Sequence, residues 1–367
     1  MKKQATATVT YPKTLLLGVQ TPENYMVNTD SYFEEFRNLA RTNGVYNSEE
    51  LLIKIRTIDP GYFLTKGKQE EVKAFCDEHE IEQVIISEPL SSRQAGNLGE
   101  FLNCDIFDRT ELILEIFEKA AHTAEGKMQV EIARLQHKKS RLAGRGVHFA
   151  QQSGAIGVRG GFGETAKEKE TRHIENTILQ IKRHLVTMHK ARETQRKQRL
   201  GNKEPNICLI GYTNAGKSTI LNTLTNSKVL AEDKLFATLD TTTRSLFIDG
   251  KKKGTLSDTV GFIQNLPTRL IEAFKSTLSE LHLADLLLHV VDISDPGWQN
   301  HIRVVNDILE DLQVDTPTLY VFNKADKTDT LLLTGALEKY EPHVIISSLS
   351  KKDIAPLIEY IGSWMPE

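Results

Sequence analysis

The segment "GYTNAGKST", Gly211 to Thr219, constrains the fold more than any other stretch of the chain. It fits the pattern G-x-x-x-x-G-K-S/T and follows the apolar run "ICLI", which predicts a strand, a phosphate-wrapping loop and a helix in that order. Such a loop must approach phosphate oxygens closely. Gly211 and Gly216 leave room for its backbone N–H groups, and for those of the helix N-terminus, to point at an anion. Tyr212, Thr213, Asn214 and Ala215 complete the turn; Lys217 supplies a point charge to the β- and γ-phosphates and Ser218 a hydroxyl to Mg²⁺. From Asn206 onward strand-like and helix-like runs alternate: "ICLIGY", the helix after Lys217, "SLFID", "KGTLSD", "DLLLHVVDIS", "TPTLYVFNKAD" and "HVIISS". This alternation predicts a doubly wound, mostly parallel sheet that binds its ligand at the carboxyl ends of the strands.

Two further segments fit that ligand end. In "LSDTVGF", roughly 40 residues beyond the loop, Asp258 is placed to hold Mg²⁺ through water, Thr259 and Val260 follow, and the Gly261 N–H can sense a γ-phosphate. The next residue is Phe262, where many phosphate-hydrolysing relatives carry a glutamine that orients the attacking water. No side chain of the motif is therefore a catalytic base, and something else must hold the water. In "FNKAD", Asp326 can accept the two parallel N–H donors of guanine, Asn323 can bind base or loop atoms, and the aliphatic stem of Lys324, before Ala325, can cover the ring. Adenine lacks the second donor, so the base is guanine. "SSL", Ser347, Ser348 and Leu349, would close the base pocket with backbone N–H groups.

The first hundred or so residues also alternate. "TLLLGVQ" (14 to 20), "LLIKIRTI" (51 to 58) and "EQVIIS" (82 to 87) read as strands; "SYFEEFRNLARTNG" (31 to 44) and "KQEEVKAFCDEHE" read as helices. This is a small α/β domain without a catalytic cluster. From about Glu111 to Leu142 the pattern predicts one long helix. Residues 144 to 163 then place seven glycines in twenty positions, and a second helix runs from about Glu164 to Arg199. Two helices of roughly 30 to 35 residues would make an antiparallel hairpin about 50 Å long. The expected organisation is 1–110 N-terminal α/β domain, 111–200 basic hairpin with a Gly-rich tip at 144–163, 201–205 linker and 206–367 nucleotide-binding domain.

The net charge of -3 conceals a division: residues 119 to 200 hold 18 Lys+Arg and 7 Asp+Glu, net +11, against -14 in the rest. Segregated basic charge favours a polyanionic partner. Six of the eleven histidines fall in the same segment (His122, His137, His148, His173, His184, His189), without metal-site spacing. Three cysteines, Cys76, Cys104 and Cys208, are widely spaced, which argues against a disulfide framework or zinc cluster. The N-terminus lacks a long apolar core and no run approaches about 18 apolar residues. A cytoplasmic protein with no integral membrane segment is expected.

With these motifs in place, the chain resembles the HflX family of ribosome-associated GTPases, within the group that also contains the Obg proteins. The resemblance covers nearly the whole chain. The family pattern G-P-G-E-T-Q-x-E-x-D-x-R is similar to "GFGETAKEKETR", which keeps Gly161, Gly163, Glu164, Thr165, Glu168 and Arg172 and departs at Phe162, Ala166 and Glu170. "FATLDTTTR" resembles the family's first switch sequence, F-A-T-L-D-P-T. That match implies that Phe236, Ala237, Thr238, Leu239 and Asp240 close over the nucleotide and that Thr238 is the second Mg²⁺ hydroxyl; spacing alone leaves Thr241, Thr242 and Thr243 as rivals. Asn214 stands where related GTPases bind a potassium ion that acts as a positive finger, with a plain loop hydrogen bond as the alternative.

The resemblance implies GTP hydrolysis to GDP and phosphate, slow alone and stimulated by the ribosome. It further implies that the basic hairpin meets rRNA on the large ribosomal subunit and that stalled ribosomes are split. A partner other than DNA and a monomeric protein are expected. Many members carry a further C-terminal domain; this sequence ends about one helix after Leu349, so contacts made by that domain are expected to be missing. The alternative is a GTP-gated assembly or occupancy factor that binds rRNA without splitting. A tRNA-modifying GTPase fits less well, since no cysteine or cofactor motif supports that chemistry.

Overall fold

The computed structural model describes residues 12–24, 29–144, 166–200, 205–225, 235–236, 238–239, 241–266, 270, 278, 281–329 and 334–364. The chain divides into two compact units, 1–115 with 137–171, and 116–136 with 172–367.

The first unit is built on a four-stranded sheet, β1 (Thr14–Gln20), β2 (Ser48–Lys54), β3 (Gln83–Ile86) and β4 (Asp105–Phe107), in the order β2-β1-β3-β4 with every pair parallel. Parallel strands need crossovers, and helices α1 (Thr29–Asn43), α2 (Lys66–His79) and α3 (Ser92–Leu102) supply them. Helix α3 starts in a capping box in which Ser91 and Gln94 satisfy each other's backbone N–H groups. Leu15, Leu17, Val19, Val84 and Ile86 pack against Val72, Cys76, Leu98 and Leu102 to form the core.

The helix expected from 111 to 142 is two helices, α4 (Arg109–Ala120) and α5 (Ala124–Gly144). Thr123 causes the break. Its hydroxyl accepts the Gly126 N–H at 3.0 Å and its carbonyl the Lys127 N–H at 3.0 Å, so a new helix is capped where periodicity alone reads continuity. Helix α6 (Ala166–Leu200) follows; Lys138 of α5 pairs with Glu170 of α6 at 2.9 Å. Most of the glycine-rich tip, with Gly161, Gly163, Glu164 and Thr165, lies outside the described residues.

The second unit carries a six-stranded sheet, β5 (Asn206–Gly211), β6 (Thr242–Ile248), β7 (Lys251–Asp258), β8 (Leu286–Asp292), β9 (Thr318–Asn323) and β10 (His343–Ile345), ordered β10-β9-β8-β5-β7-β6. All pairs are parallel except the β6–β7 edge hairpin. Helices α7 (Lys217–Thr225), α8 (Trp298–Asp311) and α9 (Ala355–Ser363) accompany it. Both faces of the sheet are covered, which is why β5 and β8 read as unbroken apolar runs. Leu209 and Leu288 face one core; Cys208, Ile210 and Leu287 face the other with Val305, Ile308 and Leu309 of α8. Register sets the ligand end: Gly211 lies opposite Val290, Leu209 opposite Asp258 and Asp292 opposite Asn323. The loop, Asp258 and the base motif thus leave the sheet at one edge.

Candidate active site

Strand β5 ends at Gly211, whose φ of +144° and close passage by β8 exclude a side chain: a Cβ there would stand 2.2 Å from the Val290 carbonyl oxygen. Gly216 has φ +99°, and a Cβ would stand 2.3 Å from Asn323 Nδ2. Between them Asn214 adopts φ +60° and Ala215 is buried. Lys217 opens α7 buried, and its Nζ donates to the Gly211 and Tyr212 carbonyls at 3.1 and 2.8 Å. Burial pushes the Lys217 ammonium down to about 8, while the nearby Asp258 carboxylate acts the other way. Beneath it burial, with Lys217, pushes the β8 residue His289 down to about 3, so that imidazole stays neutral. A cation held at a desolvation cost, coordinated by loop carbonyls, is a strong acceptor site for a phosphate.

Residues distant in sequence meet beside the ammonium. Ser218 Oγ donates to Asp258 Oδ2 at 2.6 Å and shares a 2.8 Å hydrogen bond with Thr238 Oγ1. Asp258 is fully buried, and burial raises its pKa against the opposing pull of Lys217, Ser218 and Thr238. Its Oδ1 and the Thr213 hydroxyl have no hydrogen-bond partner among the described residues. Buried polar atoms of this kind are ordinarily satisfied by protein, water or a bound ion. Two hydroxyls and one carboxylate form an oxygen-only set suited to Mg²⁺, which keeps several waters and takes its remaining ligands from phosphates. The rival Thr243 bonds Ser257 Oγ at 2.9 Å in the β6–β7 hairpin, and Thr242 stands in that hairpin opposite Asp258. Phe236 (φ +57°) and Leu239 are buried; Ala237 and Asp240 lie outside the described residues.

The turn after β7 is fastened to the loop. Thr259 Oγ1 donates to the Leu209 carbonyl at 2.7 Å, the Phe262 N–H to the Gly211 carbonyl at 3.2 Å and the Thr213 N–H to the Phe262 carbonyl at 2.8 Å. Val260 is buried, and Gly261 lies so close to Thr213 that a Cβ would stand 2.8 Å from its methyl group. The Phe262 side chain, 1% exposed, belongs to the core formed with Cys208, Ile210, Leu281, Leu287 and Val305. It points into the protein and contributes only its backbone to the site's edge.

At the base end Asn323 acts as a clip. Its Nδ2 donates to the Ala215 carbonyl at 2.8 Å and its Oδ1 accepts the Ser348 N–H at 3.0 Å, joining the phosphate loop to the "SSL" turn. Lys324, with φ +62°, pairs with Asp292 at 2.6 Å, and Asp326 Oδ1 accepts the Ser347 hydroxyl at 2.6 Å. The Ala325 N–H bonds the Ile346 carbonyl at 3.2 Å; Leu349 is 75% exposed. Sequence reasoning missed Asp292, which also accepts the Ser294 N–H and hydroxyl at 3.0 and 2.6 Å. Its position at the end of the apolar run "LLLHVVD", in register with Asn323, is the signal that could have found it.

Among the described residues no group of three or more His, Cys, Asp or Glu could hold a metal ion, and no helix is long and apolar enough to cross a membrane. Three family models match the chain: "GTP-binding GTPase N-terminal" over residues 30–118, "GTP-binding GTPase Middle Region" over 120–199 and "50S ribosome-binding GTPase" over 206–324. GTPase HflX of Caldanaerobacter subterraneus subsp. tengcongensis is 43% identical over 313 residues, 85% of this chain and 72% of that one. GTPase HflX of Escherichia coli is 39% identical over 335 residues, 91% and 76% of the two chains. The crystal structure of an SsGBP and GDP complex superposes with a TM-score of 0.51 at 25% identity, covering 95% of this chain and 97% of that one. A glycine-backed phosphate loop, a guanine-reading motif and relatives of this closeness make the chain a member of the HflX GTPase family, an enzyme that hydrolyses GTP.

Proposed function

We propose that this GTPase acts on the ribosome: it binds the large subunit through the basic segment and couples GTP binding and hydrolysis to the splitting or rescue of stalled ribosomes. The observation that carries this reading is that no side chain for the attacking water follows Gly261. Phosphate- and guanine-directed groups are assembled, while the residue after Gly261 is Phe262, buried in the core with no group to offer a water. A partner that orders the switch segments would supply what is missing, and such completion in trans is worth ~10³ to 10⁵ in rate for this reaction class. The name of the matching model, "50S ribosome-binding GTPase", and the net +11 of residues 119 to 200 favour the ribosome as that partner.

In this reading the loop N–H groups and Lys217 hold the β- and γ-phosphates, the Gly261 N–H meets the γ-phosphate, and Asp326 reads guanine beside Asn323 and Lys324. Ser218, Thr238 and Asp258 would hold Mg²⁺, which would neutralise phosphate charge when bound. Asn214 is the proposed potassium ligand. Replacing sodium by potassium should raise turnover, and an unchanged rate would rule that role out. The protein works as a cytoplasmic monomer. A sucrose gradient of intact ribosomes with the GTP-loaded protein tests the function: free subunits are expected. Protein bound to undivided ribosomes would instead make it a GTP-gated occupancy factor.

A further inference from the structure

Tyr212 fills the second position of the phosphate loop, where the motif asks nothing of the side chain. Its ring is nevertheless buried and lies flat on the His301 imidazole of α8, centroids 3.8 Å apart and planes 9° apart. The phenol oxygen accepts the Gln264 N–H at 2.7 Å. Gln264, three residues after Gly261, is buried as well. The two backbone bonds that join Phe262 to Gly211 and Thr213 would form with most residue types at those positions. The third tie exists only because residue 212 carries a hydroxyl at the end of a six-membered ring. His301 sits where a flat partner holds that ring, and therefore the hydroxyl, in one direction.

We infer that Tyr212 is a positioning residue for GTP hydrolysis, fixing the backbone from Gly261 to Gln264 against the phosphate loop. The Phe262 side chain is turned into the core, so alignment at the γ-phosphate depends on where the Gly261 N–H and its neighbours stand. Small displacements of such groups cost rate steeply. Losing the phenol oxygen leaves a buried N–H without an acceptor, which favours any arrangement in which the segment lifts toward water. GDP has no γ-phosphate and does not depend on that segment. Tyr212 therefore acts on the hydrolytic step and not on nucleotide capture; this rests on GTP hydrolysis alone and is independent of the ribosomal reading.

The test is Tyr212→Phe, which keeps the ring and its stack. Turnover should fall about tenfold, the weight of one hydrogen bond to a buried group. KM and GDP affinity should stay within about twofold of the parent, the pattern of an interaction that matters in the transition state. Hydrogen exchange at the Gln264 amide should quicken in the same variant. His301→Ala, which frees the ring without touching the hydroxyl, should give a smaller loss of the same kind, and His301→Phe should restore the parent rate. Parent-like turnover in Tyr212→Phe would overturn the assignment. So would a loss of turnover matched by a proportional loss of GDP affinity, since that is the mark of a merely structural role.

Discussion

Both units present the carboxyl end of a parallel sheet at a reversal in strand order, the position where α/β sheets hold ligands, yet the two ends are finished in opposite ways. In the first unit the end between β1 and β3 is filled with side chains that satisfy one another. Asn24 accepts the Thr21 N–H and donates to the Val19 carbonyl and to Glu88; Ser87 accepts the Val19 N–H, and Tyr32 donates to the Ser87 carbonyl. Arg109 lies buried beside them, paired with Glu35 and placed 4.9 Å from the centre of the Tyr32 ring. In the second unit the corresponding end is backed by glycine, and Asp258 Oδ1 and the Thr213 hydroxyl lack partners among the described residues. Topology offers the same position to both; side chains bonded to one another occupy it in one, and bare glycine backbone lines it in the other.

The contrast is sharpest where a buried charge is removed. In the first unit Glu35→Ala strands the Arg109 guanidinium and should cost about 3–5 kcal/mol of stability. Turnover per folded molecule should be unchanged; urea unfolding with a GTPase assay would read both. In the second unit Lys217→Ala should lower turnover ~10²- to 10³-fold, since it removes a charge aimed at the phosphates. Its cost in stability should be smaller than that of Glu35→Ala, because the ammonium's own desolvation penalty is lost with it. A stability loss with Lys217→Ala as large as that with Glu35→Ala, or a loss of catalysis with Glu35→Ala, would erase the distinction between the two sheet ends.

Phe262→Gln tests the edge of the glycine-lined end. The amide enters the core beside Ile210 and Leu287, so stability should drop by about 1–3 kcal/mol and the unaided turnover should not rise. A faster enzyme would show that the side chain can reach the water after all. The smallest expected effect is a proton. Lys217 titrates near 8 in the protein, below its ordinary 10.5, so between these values the unfolded chain holds the proton and the folded one does not. Stability of the nucleotide-free protein therefore rises with pH across that window. Bound phosphates reverse the shift. GDP binding near pH 8.5 in EDTA should take up a proton, seen as a binding enthalpy that changes with the buffer's ionisation enthalpy; buffer independence would contradict the depressed ammonium.

The glycine-lined end was far more legible in sequence than the filled one. Phosphate and guanine demand particular residue types at strand ends, which is why "GYTNAGKST", "DTVG" and "NKAD" could be read directly. Pairings between segments left no such mark: Lys324 with Asp292, Tyr212 with His301, and the Asn323 clip depend on strand register and on the face of α8. The first unit's polar cluster was invisible for the same reason, its members lying far apart in the chain. Periodicity also carried the helix through Thr123, where a cap divides it.

In the proposed function a partner completes a site in which, among the described residues, the side chain after Gly261 is turned away into the core. Steady-state GTP turnover, measured alone and with isolated large ribosomal subunits, tests it most directly. Slow hydrolysis alone and a rise of ~10³ or more with the subunits are expected. A rate that is fast from the start, or the same in both, would contradict it.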